Sequence, residues 1–540
     1  MQVLSRLGRP TWVEWLCLAG GTFLTIHYAF LHDDAFIYFR YADNAVYLGH
    51  GLVYNAGEFV EGFSSPLWML LLVLVRSTGA DFWIATRALG LLVLALFWLS
   101  VVVLNRRMSP RGSIVDLPIC LLAFNYAVLC YFTSGLETPL VQLAAVLYAL
   151  FVLRPSSRSL QWMVAVSPLL RHELAIPAAL AFGWLWLRER RFPLGLAIAG
   201  VAINGAWLVF RIRTYADLLP NTFYLKNEAD FGQGLVYLLD TAGPYGLGWI
   251  LAAAALLAAV CAVRRGAELR IAERLVMLAM AAGVAAYVVS IGGSPIHYRY
   301  MAFPFCLALC ATAGLVEHGL ARFALPRPTA WAVSIAAVAA AVTFTRYPVQ
   351  LSGHPTLQLA SVGQVNKIAD AAFHRYRRGP DGRRLDEIGF RGWRLRSGIE
   401  QKHEYANRLS EGVEAPYRDV LAHGNCMLLY RRIDHRAVHS LGLTDAILAR
   451  TNMKSDRPAH KRGLRPLAQQ LAELQRRAGD RPERGMYRSA VVEQRAPRWI
   501  ARNLESIEIV ERKIYNRHDL LENLGLAFRF PARIDPRPTR

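Results

Sequence analysis

The chain has 540 residues, 54% of them hydrophobic, with a mean hydropathy of +0.25 and a formal net charge of +21. That is more apolar than an ordinary soluble enzyme, and the excess lies within residues 1–346, in blocks long enough to cross a bilayer at about 20 residues each. The basic excess forms no nucleic-acid-binding stripe: many arginines sit in short loops between apolar blocks, as topology determinants do, and the rest decorate residues 347–540, where a surface near anionic lipid accounts for them.

These features predict a polytopic α-helical membrane domain over 1–346 and a soluble domain over 347–540. The first apolar block, about 11–31, follows Arg6 and Arg9, which places the N-terminus inside. It shows no small-residue cleavage site and reads as an anchor rather than a cleaved signal peptide. A large first outer loop, 32–81, comes next. Within it "SPLWMLLLVLVRSTG" (65–79) is apolar but short, and as a full span it would invert every later loop. It is therefore expected to be a juxtamembrane or re-entrant helix on the outer face.

Further spans are expected at 82–104, 113–133, 137–153, 161–170, 174–188, 193–211, 246–263, 273–291, 300–319 and 329–346, about eleven in all. The run 161–188 is split because "RHE" (171–173) would otherwise sit at mid-bilayer, where ionisable groups are costly. This alternation puts "NRRMSPR" (105–111), "RPSSR" (154–158), "RERR" (188–191), "RRGAELRIAER" (264–274) and "RFALPR" (322–327) inside, and residues 347–540 outside. A reporter active only outside the cytoplasm should work when fused at position 400 and fail at 268; the reverse would make 65–79 a true span.

The C-terminal domain reads as mixed α/β. "LRPLAQQLAELQRRAG" (464–479) has helical periodicity with a polar face, and "SIEIVERKIYN" (506–516) has strand-like stretches. Of the seven cysteines, six lie in apolar blocks and only Cys426 in this domain, so no disulfide is expected within it. No CxxC or HExxH pattern occurs.

With this threading the unusual residues collect in the outer loops. The first holds Asp33, Asp34, Arg40, Tyr41, Asn44, Asn55, Glu58 and Glu61. Then come Glu137 in "TSGLETPL" (133–140), Arg171, His172 and Glu173, and "RIRTYADLLPNTFYLKN" (211–227) with Arg211, Arg213, Asp217, Asn221 and Lys226. Last is "GGSPIHYRYMAFP" (292–304) with His297 and Arg299. Carboxylates and cations at an outer membrane boundary suit glycosyl transfer from a lipid-linked phosphate. The attacking hydroxyl needs a base, usually a carboxylate, and the leaving phosphate needs cations, for which arginine's fork is apt. Adjacent carboxylates can divide the labour. Taken singly, each residue also has a plainer reading: an acid pair that ends an apolar run, glutamates that pair locally, a solvated lysine, an interfacial histidine.

The string "DDAFIYFRYADNAVYLGHGLVYNAGEFVEGFSSPLW" (33–68) resembles, without a gap, the first outer loop of the GT-C glycosyltransferases. More narrowly it resembles the family of the mycobacterial terminal β-(1→2) arabinofuranosyltransferase. "GLETPL", "YADLLPNTFYLK" and "GLTDAILAR" (442–450) are similar to later blocks of that family. The resemblance implies a GT-C-like fold and an inverting transferase on the outer face of the plasma membrane. It would move a pentose, arabinofuranose, from a polyprenyl-phosphate donor to a cell-envelope glycan, glycolipid or glycoprotein, with membrane lipid but no nucleic acid as further partner. It places the acidic pair on Asp33 and Asp34 as the catalytic residues. Arg171, Arg211, Arg299, Lys226 and His297 are the expected donor-phosphate ligands, and Arg40, Asn44, Asn55, Glu58, Glu61, Glu137, Asn221 and Asp445 the expected sugar- and acceptor-binding set. No cofactor is implied, and a divalent cation at the acidic pair stays open. Ser294 stands where relatives often carry an acid, and "RPAHKRG" (457–463), with His460, matches only loosely. A GT-C transferase using mannose or aminoarabinose, and a non-enzymatic lipid-linked-sugar flippase, are the competing readings.

Overall fold

The computed structural model describes residues 11–27, 29, 31, 32, 34–108, 116–225, 231–243, 245–248, 250–252, 255, 270–294, 298–321, 326–343, 420–423, 426–431, 433, 435–453, 455–457, 460, 461, 464–478 and 484–537. Of the described residues 73% are helical, and two two-stranded sheets occur among them. Three described helices are long and apolar enough to cross a membrane: Ile84–Met108, Leu194–Tyr215 and Ile271–Ser290. Pro66–Ser77, Thr138–Leu153, Arg299–Leu315 and Trp331–Val342 are apolar but shorter. Most of the expected span 246–263 lies outside the described residues.

The chain divides into two compact units. The first comprises Met1–Leu31, Thr86–Val201 and Phe231–Arg383. The helix Thr138–Leu153, whose sequence TPLVQLAAVLYALFVL is apolar on every side, is largely enclosed rather than amphipathic. Buried Arg274 donates to the carbonyl of Met108 at 3.1 Å and to that of Ala311, satisfying the orphan carbonyl that ends the helix Phe82–Met108.

The second unit comprises His32–Ala85, Ala202–Asp230 and Arg384–Arg540. One apolar core runs through all three pieces: Val60 from the first loop, Leu225, and Val438, Ile447, Leu471, Trp499, Ile507, Val510 and Ile534. In its first loop, Ser65 accepts from the Trp68 amide at 3.4 Å and Pro66 opens the helix Pro66–Ser77, the cap and N1 proline that "SSPLW" encodes. Twelve residues reach about 18 Å, short of the ~30 Å hydrocarbon core. Arg76 on this helix binds Asp43 of the helix Ala35–Val46 at 2.6 Å, so its charge is held within the unit. Gly62 has no room for a side chain: a Cβ would meet Thr444 at 2.7 Å and the Tyr41 hydroxyl at 2.8 Å.

The structure corrects three sequence expectations. The run 113–133 breaks into Leu117–Ala123 and Tyr126–Cys130, because the Asn125 side chain accepts from the Val128 amide at 3.1 Å and starts a new helix. Residues 506–516 form no strand but lie largely in the helix Leu504–Ile514, where buried Ile507, Val510 and Ile514 recur at helical spacing despite their β-branching. The helix Phe231–Ala242 was not foreseen. The run 161–188 is divided as expected, into Arg158–Leu170 and Ala175–Glu189 around a short 3-10 turn. The parallel pair Val420–His423 and Arg436–His439 supplies part of the expected strand content.

Candidate active site

The predicted residues fall into both units. In the second unit the motif 33–68 is tied to the C-terminal segment by side chains acting on backbone. Arg40, fully buried, donates to the carbonyls of Tyr54 (2.7 Å), Leu429 (2.5 Å) and His435 (2.7 Å) and to Asn55 Oδ1 (3.2 Å). Asn44 donates to the carbonyls of Val53 (2.8 Å) and Tyr54 (3.1 Å). Asn55 meets the peptide groups of Ala437 as a strand neighbour would, donating to its carbonyl and accepting from its amide, each at 2.9 Å. Glu58 accepts from Asn55 at 2.5 Å, from the Tyr515 hydroxyl at 3.2 Å and from Arg436.

Glu61 and Arg211 form a bidentate pair at 2.5 and 3.1 Å, and burial pushes Glu61 up even against that charge. The Asn221 amide donates to the carbonyls of Gly442, Leu443 and Asp445 at 3.0, 3.0 and 3.2 Å, and its oxygen accepts from Arg450. Asp445 accepts from the Leu448 amide at 2.8 Å and caps the helix Ala446–Ala449. Burial raises its carboxyl to about 6. Asp445→Ala should therefore lower stability by about 1 kcal/mol, a lost N-cap, while Asp445→Asn keeps the cap; unfolding midpoints of the two variants check this, and equal losses would contradict a capping role.

Sequence reasoning named Asp217 among the outer-loop residues but gave it no role; here it gathers Tyr224 (2.6 Å), Lys513 (3.2 Å) and Arg450 beside a cavity of about 20 Å³, one water's worth. Burial holds Lys513 down despite Asp217. Sequence reasoning missed Asp43, which accepts from Arg76 and, at 2.9 Å, from Tyr430; burial lifts Asp43 to about 6. Asp217 lies in "YADLLPNTFYLK" and Arg450 ends "GLTDAILAR", so those blocks carried the signal. Arg436, Tyr430 and Lys513 lie in no motif.

Asp34 stands apart from the other loop acids. It precedes the helix Ala35–Val46 without capping it through its side chain; its backbone N–H donates to His32 Nδ1 at 3.0 Å, and its carboxylate lies 4.0 Å from the same ring nitrogen. Its side chain is 28% exposed, against 13% for Glu58, 2% for Glu61 and 0% for Asp43. Asp33, Lys226 and His297 lie outside the described residues, as does the side chain of His460.

In the first unit Glu137, Arg171 and Arg299 come together. Glu137 Oε1 accepts from Arg171 at 2.7 Å and from Arg299 at 3.3 Å; Glu137 Oε2, fully buried, accepts nothing. Arg171 also donates to Glu173 at 2.5 Å and lies over the Tyr300 ring at 4.4 Å. Burial pushes Glu173 up, but Arg171 outweighs it and holds the carboxyl at about 2. His172 reaches the Tyr287 hydroxyl at 2.6 Å. One carboxylate oxygen thus holds two guanidiniums side by side. Among the described residues no group of three or more His, Cys, Asp or Glu is placed to hold a metal ion.

A terminal β-(1→2)-arabinofuranosyltransferase of Corynebacterium glutamicum is 29% identical to the chain over 333 residues, covering 51% of this chain and 46% of that protein. The chain resembles this kind of enzyme. The terminal β-(1→2)-arabinofuranosyltransferase of Mycobacterium tuberculosis is likewise 29% identical over 248 residues, covering 40% of the chain and 38% of its own length. The chain thus spans less than half the length of each of these relatives in the alignments. No protein-family model and no solved structure matches it.

Proposed function

We propose that the chain is an inverting glycosyltransferase of the plasma membrane. It moves arabinofuranose from a polyprenyl-phosphate donor to an envelope glycan, glycolipid or glycoprotein on the outer face. The observation that carries this reading is the similarity to two proteins named as arabinofuranosyltransferases. Geometry supports it in the first unit, where Arg171 and Arg299 share Glu137. Two guanidiniums repel one another, and the buried carboxylate between them fixes the pair before any phosphate arrives, the preorganisation that favours a developing anion. Lys226 and His297 belong to the proposed donor set on sequence grounds. In the second unit Asp33 and Asp34 are the proposed acids of catalysis. Arg40, Asn44, Asn55, Asn221 and the Glu61–Arg211 pair act one step back: they hold the loop's shape through backbone carbonyls and a buried ion pair.

The test is arabinosyl transfer by the purified chain in detergent, with polyprenyl-phosphoryl-arabinofuranose and an arabinan acceptor. A glycosidic product supports the reading. A chain that moves the donor only across sealed vesicles and makes no product is a flippase, and turnover with a mannosyl or aminoarabinosyl donor instead would replace the sugar.

A further inference from the structure

The helix Leu520–Ala527 turns its apolar side outward. Leu520, Leu524 and Phe528 recur every four residues with Leu521 beside them, a single helical face, and Phe530 follows. Their exposures are 42, 39, 62, 80 and 60% respectively. The opposite face, Asn523, Leu526 and Ala527, is buried. Large apolar side chains concentrated on one short solvent-facing stretch mark a contact surface rather than an ordinary exterior.

What covers it follows from where the helix is attached. Asn523 Nδ2 donates to the carbonyl of Arg213 at 2.8 Å, and Asn516 Nδ2 to that of Thr214 at 2.9 Å. These are among the last carbonyls of Leu194–Tyr215, where an α-helix runs out of its own donors. That helix is long and apolar enough to cross a membrane, and Val209, 52% exposed, lies a turn and a half before its end. The helix Leu520–Ala527 is thus pinned at the level where a spanning helix leaves the hydrocarbon. Exposed Arg517, Arg529 and Arg533 flank the helix in sequence, while the acids Asp519 and Glu522 are engaged, Asp519 as N-cap and Glu522 with Arg484. An apolar face flanked in sequence by arginines at a membrane boundary is the chemistry of an interfacial helix on anionic lipid.

We propose that Leu520–Ala527 and the following Phe528 and Phe530 lie in the lipid–water interface of the leaflet at the Tyr215 end of Leu194–Tyr215, inserting their leucines and phenylalanines among acyl chains with Arg517 and Arg529 on anionic headgroups. The anchor rests on Leu194–Tyr215 crossing the bilayer, not on the proposed transfer reaction.

The full chain carries the test. The six described native cysteines are buried, so with Cys261 replaced by Ser the single cysteines introduced by Val209→Cys, Leu521→Cys, Phe528→Cys and Arg477→Cys accept a spin label selectively. In phosphatidylglycerol nanodiscs, collision with lipid-soluble oxygen relative to a water-soluble nickel chelate should be several-fold higher at 521 and 528 than at Arg477, which is exposed and charged, and should approach the value at 209. In phosphatidylcholine nanodiscs the ratio at 521 should fall; an equal ratio would remove the anionic headgroups from the proposal. A water-like ratio at 521 and 528 with a lipid-like one at 209 overturns the anchor. Labels shielded from both reagents overturn it too, since the face would then meet protein. A water-like ratio at 209 removes the spanning helix and the anchor with it.

Discussion

Arg171→Ala should be among the most damaging single changes in the first unit. It leaves Glu137 and Glu173 buried without the cation that both share, and removing one partner of a buried ion pair typically costs about 3–5 kcal/mol. Arg171→Lys should rescue only part, because one ammonium replaces a planar fork whose Nη1 and Nε serve two different carboxylates. Arg299→Ala should behave differently. Glu137 keeps its 2.7 Å contact to Arg171, so the fold should survive, while donor affinity falls by the roughly 1.5–3 kcal/mol of a hydrogen bond to a charged group. Unfolding midpoints and donor dissociation constants, measured on the same purified proteins, separate the two. Arg171→Ala with an unchanged midpoint would mean that the carboxylates find other partners. Arg299→Ala with unchanged donor affinity would take this pair out of the donor site.

What the sequence revealed and what it hid follow from the range of the forces involved. Local signals were legible. "SSPLW" announced a helix start because a serine cap and an N1 proline act within four residues, and "RHE" announced a break because buried charge forbids a continuous span. Glu137, Arg171 and Arg299 meet in one cluster, although the sequence assigned Glu137 to the sugar- and acceptor-binding set and the two arginines to the donor phosphate. Long-range pairings were not legible. Nothing near Arg40 in sequence says that its guanidinium will hold the carbonyls of Leu429 and His435, and nothing near Asn55 says that it will stand in for a strand neighbour of Ala437. The strand expected within 506–516 failed for a similar reason. Isoleucine and valine favour strands as isolated residues, but here their spacing matches the helical stripe that the core around Trp499 and Leu471 accepts, and tertiary packing overrides local propensity.

Asp33→Asn should lose turnover by roughly 10²–10⁴-fold, the usual effect of deleting an acid–base group, while binding donor nearly as the parent does. The acceptor hydroxyl must lose its proton as the anomeric carbon is attacked, and asparagine keeps the size of aspartate but not its basicity. Asp34→Asn should cost less or act mainly on binding. Three other acids of the loop are poor rivals for the base. Glu58 is engaged by Asn55, Arg436 and Tyr515, Glu61 by both nitrogens of the Arg211 fork, and Asp43 by Arg76 and Tyr430. A carboxylate so occupied would have to give up hydrogen bonds to take a proton, whereas Asp34 keeps the largest exposed fraction of the four. Glu58→Gln should accordingly lower the unfolding midpoint, whereas Asp33→Asn and Asp34→Asn should leave it near the parent's. Product formation and donor affinity measured on all three folded variants decide the assignment. Parental turnover in Asp33→Asn moves the base to Asp34. Parental turnover in both aspartate variants means that the adjacent acids only end an apolar run, and the catalytic reading of the loop fails.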